Sequence, residues 1–267
     1  METPRISASS YSNTAPLVWS FLYGKNRGLA EVIMDTAPAR SAELLAQDRV
    51  DAALVPVIAY QMFNDVQMIP NVCVGARMRV RSVCLVTKGK DLADVRSVAL
   101  DVSSRTSVAL TKIIFREFLG FEPVWKDAKP DIDVMLQDSD AALIIGDPAL
   151  RLSVPSAGSS YRTFDLAELW NQYTGLGFVF AMWMTRRNSV SIDFATARDE
   201  GRGHLDEIVA NYESDIQLGN GEMLDYLSNN ISYSIDDSMK GGLKLYFQLA
   251  QKYNLIASNR PLMFIGG

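Results

Sequence analysis

The 267-residue sequence predicts an α/β fold of two lobes, on the basis of two patterns. Apolar, strand-like runs alternate with helical patterns along the chain, which is typical of α/β proteins. In addition, the segment Leu44–Pro56 resembles Val134–Ile145. Each passes from a helix end through a polar turn and Asp-Ala-Ala-Leu into an apolar strand of the kind found inside parallel sheets. Two lobes of similar βαβ construction would produce this repeat, although a chance repeat is the alternative.

The elements follow from these patterns in chain order. Strands are predicted where short apolar runs are bounded by polar turns: Arg5–Ser9, Val50–Val55, Ser82–Thr87, Ser97–Leu100 and Ala141–Ile145. Helices are predicted where apolar residues recur at a helical period: Thr14–Tyr23, Ala39–Gln47, Ser107–Leu119, Leu166–Thr174, His204–Tyr212, Gly221–Asn229 and Gly241–Tyr253. In such a fold a ligand binds between the lobes, at the carboxyl ends of the strands.

Composition excludes several classes of protein. Hydrophobic residues make up 48% and charged residues 21% of the chain, which indicates a packed core rather than disorder. A net charge of −5 without a long basic run argues against nucleic acid as a partner and leaves a small anion open. The longest apolar stretch, Leu176–Met184, is too short to span a bilayer. No signal peptide is evident in Met1–Ser10, so we expect no membrane partner and a cytoplasmic location.

Cofactor and metal motifs are missing from the sequence. Cys73 and Cys84 lie in apolar runs without further ligands nearby, so we expect buried free thiols. The single histidine, His204, precedes a helix and is expected to be exposed, which argues against a multi-histidine metal site. A Walker loop, a GxGxxG fingerprint and a GxSxG elbow are all absent. We therefore expect a cleft that needs neither metal nor cofactor.

The first candidate site is the junction after the first strand. Asn13 or Thr14 is placed to cap the next helix, and Pro16 suits its first turn. The Asn13 amide is also able to donate to and accept from a ligand. Plain capping is the alternative.

The second candidate site is a cluster of hydroxyls before a helix. Ser103, Ser104, Thr106 and Ser107 exceed what one cap requires, so together with backbone N–H groups they are suited to hold a carboxylate or phosphate. A Ser/Thr-rich turn with a single cap is the alternative. The sequence does not decide whether the Arg105 side chain faces the ligand or solvent.

Two further junctions complete the set. At the end of a buried strand, Gly146 leaves space for a ligand. Asp147 is interpreted as the cap of a helix that begins at Pro148, with general-base chemistry as the other possibility.

The fourth candidate lies in Gly75–Val86, where a period of two places the arginines on one face and Ser82 on the apolar face. A buried Ser82 hydroxyl needs a partner, either a ligand or nearby backbone.

These motifs resemble the chorismate dehydratase family of the futalosine route to menaquinone. The resemblance covers nearly the whole chain and is carried by the order of its motifs: Ser10–Leu17, Val50–Pro56, Arg81–Leu85, Ser104–Ser107, Ala141–Leu150, Asp165–Trp170, Tyr173–Trp183 and, near the end, Tyr226-Leu with Ile231-Ser-Tyr233. It implies a two-lobe fold like that of type II periplasmic binding proteins, with a ligand cleft between lobes. We expect lobe one to comprise residues 1–87 and 185–267 and lobe two residues 88–184, with crossings near Thr87–Asp91 and Ala181–Thr185. Gly177 departs from an expected proline, which would loosen the return crossing.

The resemblance also implies a reaction. Chorismate, a dianion, would lose water to give 3-[(1-carboxyvinyl)oxy]benzoate without a cofactor. The catalytic set would be Asn13, Ser82 and Asp147, and the substrate-binding set Pro56, Ser104, Thr106, Ser107 and Gly146. The base would be Asp147 or, as we favour, the substrate's own side-chain carboxylate, because capping already occupies Asp147. A monomer or homodimer is expected.

Two other functions fit the same fold. One is a solute-binding module for a small anion that performs no catalysis, against which the missing signal peptide counts. The other is the enzyme of the same route that forms 1,4-dihydroxy-6-naphthoate. That chemistry is expected to use a histidine in the cleft, and His204 lies in the wrong kind of segment.

Overall fold

The computed structural model describes residues 3–153 and 160–266, and within these ranges two five-stranded sheets form the framework. The first sheet has the order β2-β1-β3-β10-β4 and the second has the order β7-β6-β8-β5-β9. The strands are β1 Arg5–Ser9, β2 Glu31–Asp35, β3 Ala52–Pro56, β4 Gln67–Ala76, β5 Val83–Thr87, β6 Ser97–Asp101, β7 Val124–Ala128, β8 Ala141–Ile145, β9 Arg162–Asp165 and β10 Phe178–Thr185. Each sheet is the centre of one lobe.

The two sheets have the same construction. In each, three strands pair in parallel, and a fourth strand runs antiparallel to its neighbours: β10 in the first sheet and β5 in the second. The strands that begin at the first alanine of the two Asp-Ala-Ala-Leu segments, β3 and β8, are the central strands of their sheets, and each pairs with the antiparallel strand. The sequence repeat therefore marks equivalent positions in two similar lobes, as predicted.

Both crossings between the lobes lie earlier in the chain than expected. The first runs through residues 77–82, because β4 belongs to the first sheet and β5 to the second. The second runs through residues 175–177, because β10 belongs to the first sheet. The expected boundaries near residues 87 and 184 thus assigned β5 and β10 to the wrong lobes. We propose residues 3–76 with 178–266 as lobe one and residues 83–174 as lobe two.

The return crossing is held firmly at Gly177. Its N–H donates to Ser238 Oγ at 3.0 Å. The helix Asp237–Lys252 packs so close that a Cβ at Gly242 would lie 2.0 Å from the Gly177 carbonyl oxygen. These contacts hold the Gly177 backbone from two sides, and the loosening expected from a glycine in place of proline stays a prediction.

Helices cover both sheets. In the described ranges they are α1 Ala15–Leu22, α2 Pro38–Ala46, α3 Ala59–Met62, α4 Arg105–Ile113, α5 Ile132–Asp138, α6 Gly146–Leu152, α7 Leu166–Thr174, α8 Phe194–Arg202, α9 Leu205–Ile216, α10 Asn220–Asp225 and α11 Asp237–Lys252. Two helices continue into π-helical segments, Ile114–Leu119 after α4 and Tyr226–Asn230 after α10. All seven predicted helices are present, with ends that differ by a few residues. Across the described ranges no helix is both long and apolar enough to cross a bilayer.

The strand predicted at Ser82–Thr87 is present as β5, but the period of two across Gly75–Val86 does not hold. Arg81 has a left-handed φ of 63°, so an extended strand cannot run through it. The N–H groups of Val80 and Arg81 donate to the buried Asp165 carboxylate, at 3.0 and 2.5 Å, instead of to a neighbouring strand. The arginines at 77, 79 and 81 therefore do not share one strand face. Strands β2, β4, β7, β9 and β10 were not predicted.

The cysteine prediction is confirmed. Cys73 on β4 and Cys84 on β5 are free thiols with at most 2% of their surface exposed. Burial raises the pKa of Cys73 to about 12 and raises that of Cys84 strongly, because a thiolate loses its hydration there. Both side chains therefore act as small apolar core residues.

Candidate active site

A cavity opens between the two sheets, and most of the predicted site residues line it. We call it the inner cavity. Its lining takes polar groups from both lobes and apolar walls from the strands: Ser9, Tyr11, Asn13, Thr14, Pro38, Leu54, Pro56, Val74, Ser82, Val83, Ser104, Thr106, Ser107, Ile145, Gly146, Phe180 and Ala181. Seven predicted residues are in this set, and Asp147 is not part of the described lining. The cavity lies where β1, β3, β6 and β8 end, as expected for an α/β ligand site.

The lobe-one side is built by the turn after β1. Residues Ser12–Thr14 form a short 3₁₀ turn that leads directly into α1. In the described structure neither the turn nor α1 has a side-chain cap, so Asn13 is not used for capping. The one side-chain bond of Asn13 within the described residues is long, accepted from Thr14 Oγ1 at 3.4 Å. The Asn13 amide thus faces the cavity with most of its hydrogen-bonding capacity unused.

The lobe-two side is the hydroxyl cluster at the start of α4. Ser104, Thr106 and Ser107 are all buried, with 6%, 2% and 2% of their surfaces exposed. Within the described chain no side chain caps α4, so its first N–H groups point to the same space as the hydroxyls. This arrangement suits a carboxylate, which accepts from several donors and is favoured at a helix start.

Thr106 also connects the lobes. Its Oγ1 accepts from the N–H of Ile58, a lobe-one residue, at 3.3 Å. The carbonyl of Thr106 accepts from the hydroxyl of Tyr246 at 3.0 Å. The remaining hydroxyl of the predicted cluster, that of Ser103, donates to Asp101 at 2.6 Å and does not line the cavity. Arg105 is likewise outside the described lining.

Ser82 sits at the end of the first crossing and is completely buried. Its hydroxyl donates to the Val80 carbonyl at 3.4 Å, which is a long and weak bond. Its own carbonyl accepts from the Gly146 N–H at 2.8 Å, which ties the crossing to the end of β8. The expected backbone partner therefore exists, but it leaves the hydroxyl available to a ligand in the cavity.

Asp147 has a different role from the predicted cap. The helix begins at Gly146, so Asp147 lies inside its first turn and not at the cap position. Its carboxylate instead accepts from Ser12, through the backbone N–H at 3.2 Å and the hydroxyl at 2.5 Å. The capping prediction is wrong because the left-handed φ of 66° at Gly146 turns the chain one residue earlier, so that Asp147 points across to lobe one.

Tyr11 is a site residue that the sequence analysis missed. A Cβ on Gly146 would lie 2.7 Å from the Tyr11 ring, so the two residues are in close contact across the lobes. Burial, together with the negative charge of Asp101, raises the pKa of the Tyr11 hydroxyl to about 12, although a hydrogen bond with Ser103 opposes the rise. The phenol therefore stays neutral at physiological pH. Its only sequence signal was its place in the Ser10–Leu17 motif.

Beyond Tyr11 lies a second space between the lobes, which we call the outer cavity. It has a volume of about 520 Å³, compared with about 60 Å³ for the inner cavity. Its described lining is mostly aromatic and aliphatic: Ser10, Tyr11, Ala15, Val18, Trp19, Leu22, Tyr23, Met34, Thr36, Asp147, Pro148, Arg151, Ile208, Asn211, Tyr212 and Ile216. His204 stacks on Trp19 with ring centroids 3.8 Å apart and bonds Glu207, so it is placed beside α9 and not in the inner cavity.

Tyr226 is the other residue that the sequence analysis did not assign to the site. It begins the π-helical segment after α10 and is completely buried. Ser82 and Asn13 are the side chains whose hydrogen-bonding groups face its hydroxyl. No regular hydrogen bond to that hydroxyl is formed within the described part of the chain. Only a weak family mark at Tyr226-Leu pointed to it.

Metal binding has no support from the side chains described. Across residues 3–153 and 160–266, no three or more histidine, cysteine, aspartate or glutamate side chains come together in a group able to hold an ion.

The fold and the interlobe cavity define a class: a two-lobed protein with a periplasmic-binding-protein-like architecture. The structure of AF1704 from Archaeoglobus fulgidus is similar, with a TM-score of 0.69, 15% identity and coverage of 95% of this chain and 98% of that chain. The periplasmic aliphatic sulphonate binding protein SsuA from Escherichia coli has a TM-score of 0.64 at 16% identity, covering 100% of this chain and 94% of that chain. At such identities these likenesses show the fold alone.

The family follows from the sequence comparisons. A family model described as menaquinone biosynthesis matches residues 4–252. The chorismate dehydratase of Thermus thermophilus is 31% identical over 255 residues, covering 88% of this chain and 91% of the relative. The chain therefore belongs to this menaquinone-biosynthesis family.

Proposed function

We propose that the protein is a chorismate dehydratase, a carbon–oxygen lyase that converts chorismate into 3-[(1-carboxyvinyl)oxy]benzoate and water. It would act in the cytoplasm, in the futalosine route of menaquinone biosynthesis, as a monomer or homodimer. The observation that carries the proposal is the inner cavity, where uncharged donors from both lobes converge: Asn13 and Ser82 face the hydroxyl cluster of α4. The 31% identity to the chorismate dehydratase of Thermus thermophilus supports the same activity.

The hydroxyl cluster is assigned to the ring carboxylate of the substrate. The proton to be removed lies on the ether-bearing ring carbon and is made acidic by conjugation to that carboxylate. As the proton leaves, negative charge spreads into the carboxylate. Donors fixed at Ser104, Thr106, Ser107 and the start of α4 stabilise this charge without having to reorganise. Aromatisation supplies the thermodynamic drive, so the protein has only to orient groups and stabilise charge.

Asn13 and Ser82 are assigned to the enolpyruvyl side and the leaving hydroxyl. The substrate's side-chain carboxylate takes the proton from the ether-bearing carbon, and the released electron pair enters the ring. The neighbouring carbon–oxygen bond then breaks. The departing hydroxide takes up the proton that the side-chain carboxylate removed and leaves as water. Asp147 is the other candidate base, but it lines the outer cavity and is bonded to Ser12, which favours the substrate carboxylate.

The test is incubation of the purified protein with chorismate. Appearance of an aromatic product that has lost one water, followed by NMR and mass spectrometry, is the expected result. Binding of chorismate without turnover, measured by calorimetry, would contradict the proposal and support a solute-binding module of the same fold. Formation of 1,4-dihydroxy-6-naphthoate in a lysate supplemented with the protein, in place of chorismate turnover, would support the other enzyme of the route.

A further inference from the structure

Tyr226 occupies an unusual place for a core tyrosine. It starts the π-helical segment Tyr226–Asn230, where the backbone of α10 widens before the chain turns to Ile231. None of its surface is exposed, and its hydroxyl has no hydrogen-bond partner within the described structure. Buried polar groups are nearly always paired, and π-helical turns are frequent at functional sites. Both features suggest that the hydroxyl has a task in the working protein.

The neighbours of that hydroxyl are the two cavity residues assigned to the leaving group. The Ser82 and Asn13 side chains are its hydrogen-bonding neighbours, and Asp147 and Arg81 are the charged groups that act on it from further away. Ser82 and Asn13 each have only a single, long side-chain bond of 3.4 Å within the described residues. Three polar groups that lack good partners therefore lie close together, and two of them, Asn13 and Ser82, line the inner cavity.

Their chemistry fits a chain of hydrogen bonds that is completed by the substrate. Asn13 Nδ2 is a donor, the Tyr226 hydroxyl both accepts and donates, and the Ser82 hydroxyl does the same. A chain running from Asn13 through Tyr226 to Ser82 leaves the Ser82 O–H directed to the substrate's leaving oxygen. Negative charge that develops on this oxygen would strengthen every bond in the chain, since hydrogen bonds in a low-dielectric interior polarise one another.

We propose that Tyr226 is a positioning residue, whose hydroxyl holds Ser82 so that its O–H donates to the departing hydroxide. This role rests on the proposed dehydration. Tyr226 does not line the inner cavity within the described residues, so it acts through Ser82 and not on the substrate itself. The opposing view is that Tyr226 only fills the core, in which case its hydroxyl contributes nothing to turnover.

The test compares Tyr226→Phe with Tyr233→Phe. Tyr233 is also buried, and its hydroxyl also lacks a partner in the described chain. The groups that act on it are Tyr226 and Arg202, not Ser82 and Asn13. We expect Tyr226→Phe to lower kcat about 10-fold with KM changed less than about twofold, as for a contact made in the transition state. Tyr233→Phe should change kcat by less than about twofold. The Tm of Tyr226→Phe should stay equal or rise, because no folded-state bond is lost.

A second comparison tests the route through Ser82. In a Ser82→Ala background, adding Tyr226→Phe should lower kcat by less than about twofold, because the group that Tyr226 positions is already gone. Full, independent effects of both changes would overturn the proposal. So would equal kcat values for Tyr226→Phe and Tyr233→Phe, or a Tm loss of several degrees in Tyr226→Phe that matches the loss of activity. If the unsubstituted protein binds chorismate but does not dehydrate it, the proposed function itself fails, which is a separate result.

Discussion

The inner and outer cavities lie side by side between the same two lobes, but they differ in size and in the hydrogen bonding of their polar groups. The outer cavity is the larger, with about 520 Å³ against about 60 Å³, and most of its wall is aromatic or aliphatic. The inner cavity is lined by an amide and several hydroxyls whose hydrogen bonds are long or missing in the described structure. Size alone would direct attention to the outer cavity. The unmet hydrogen-bonding capacity of the inner one is the better guide to chemistry, because buried polar groups are costly unless a ligand completes them.

Contacts between the two lobes separate the inner cavity from the outer one. Tyr11 packs on Gly146, and Ser12 bonds Asp147, so two consecutive lobe-one residues contact two consecutive lobe-two residues. Since Tyr11 lines both spaces, its ring is the partition. The first three predictions concern the inner cavity, then the contact of Tyr11 with Gly146, and then Asp147 in the outer cavity.

The largest expected effect compares two asparagines, one in each cavity. Asn13→Ala should lower kcat about 100-fold or more, because a donor aimed at developing charge is lost. Ser82→Ala should lose a similar factor for the same reason. Asn211→Ala, which removes the same side chain from the outer cavity, should change kcat by less than about twofold. Steady-state dehydration of chorismate measures all three. Equal effects of the two asparagine changes would show that the inner cavity is not the reaction site.

The second prediction concerns the partition. Gly146→Ala places a Cβ 2.7 Å from the Tyr11 ring, so the lobes cannot close fully, and kcat/KM should fall about 10- to 100-fold. Gly120→Ala is the control, because Gly120 has a similar φ of 76° and a Cβ added there would meet no described atom within 4 Å. Both changes should cost about 1–2 kcal/mol of stability from the left-handed backbone. If Gly120→Ala impairs turnover as strongly as Gly146→Ala, contact with Tyr11 has no part in closure.

The third prediction separates the two candidate bases. Asp147→Asn keeps an oxygen that accepts from Ser12, so the lobes should still close. We expect kcat to fall less than about 10-fold, since the carboxylate lies on the outer side of the partition. General-base catalysis contributes about 100- to 10,000-fold, so a folded Asp147→Asn protein that loses 100-fold or more would identify Asp147 as the base. The pH profile of kcat, measured on both proteins, gives the same discrimination independently.

The sequence predicted the site residues that depend on local patterns and missed those that depend on long-range contacts. Local signals were sufficient to place Ser104, Thr106, Ser107 and Gly146 at the inner cavity, because each lies at a strand-to-helix junction whose direction the periodicity reveals. Asp147 was misplaced because its cap role depended on a backbone φ of 66° that only the folded chain displays. Tyr226 was missed for another reason. It comes from a helix more than 140 positions away from Ser82, and an apolar periodic stripe does not distinguish a packing tyrosine from one that faces a polar cluster.

The first crossing between the lobes also depends on a long-range contact that the local sequence pattern does not reveal. Apolar alternation in Gly75–Val86 favoured one continuous strand, whereas the chain turns at Arg81 and passes between lobes. The buried carboxylate of Asp165 makes this possible, because it replaces the strand partners of Val80 and Arg81. A long-range contact of this kind leaves no periodic trace, which is why the first lobe boundary was placed several residues late.

The smallest expected effect is on stability and concerns Asp101, the last residue of β6, whose charge acts on Tyr11. Burial raises the pKa of this carboxyl above its usual value, while the N–H and hydroxyl of Ser103 act in the opposite direction. One of its oxygens is buried without a partner in the described structure. Because the folded state penalises the charged form, wild type should lose stability as the pH rises from the unfolded value of about 3.9 through the higher folded value.

Asp101→Asn removes that dependence while keeping an oxygen to accept from Ser103. We therefore expect the free energy of unfolding of Asp101→Asn, relative to wild type, to increase between pH 4 and pH 7. Urea unfolding at several pH values measures it. A difference that is constant over this range, or that decreases with pH, would mean that the carboxylate is not penalised. The raised pKa of Tyr11, which depends in part on the Asp101 charge, should fall in the same variant, so tyrosine titration by ultraviolet absorbance links this site to the partition.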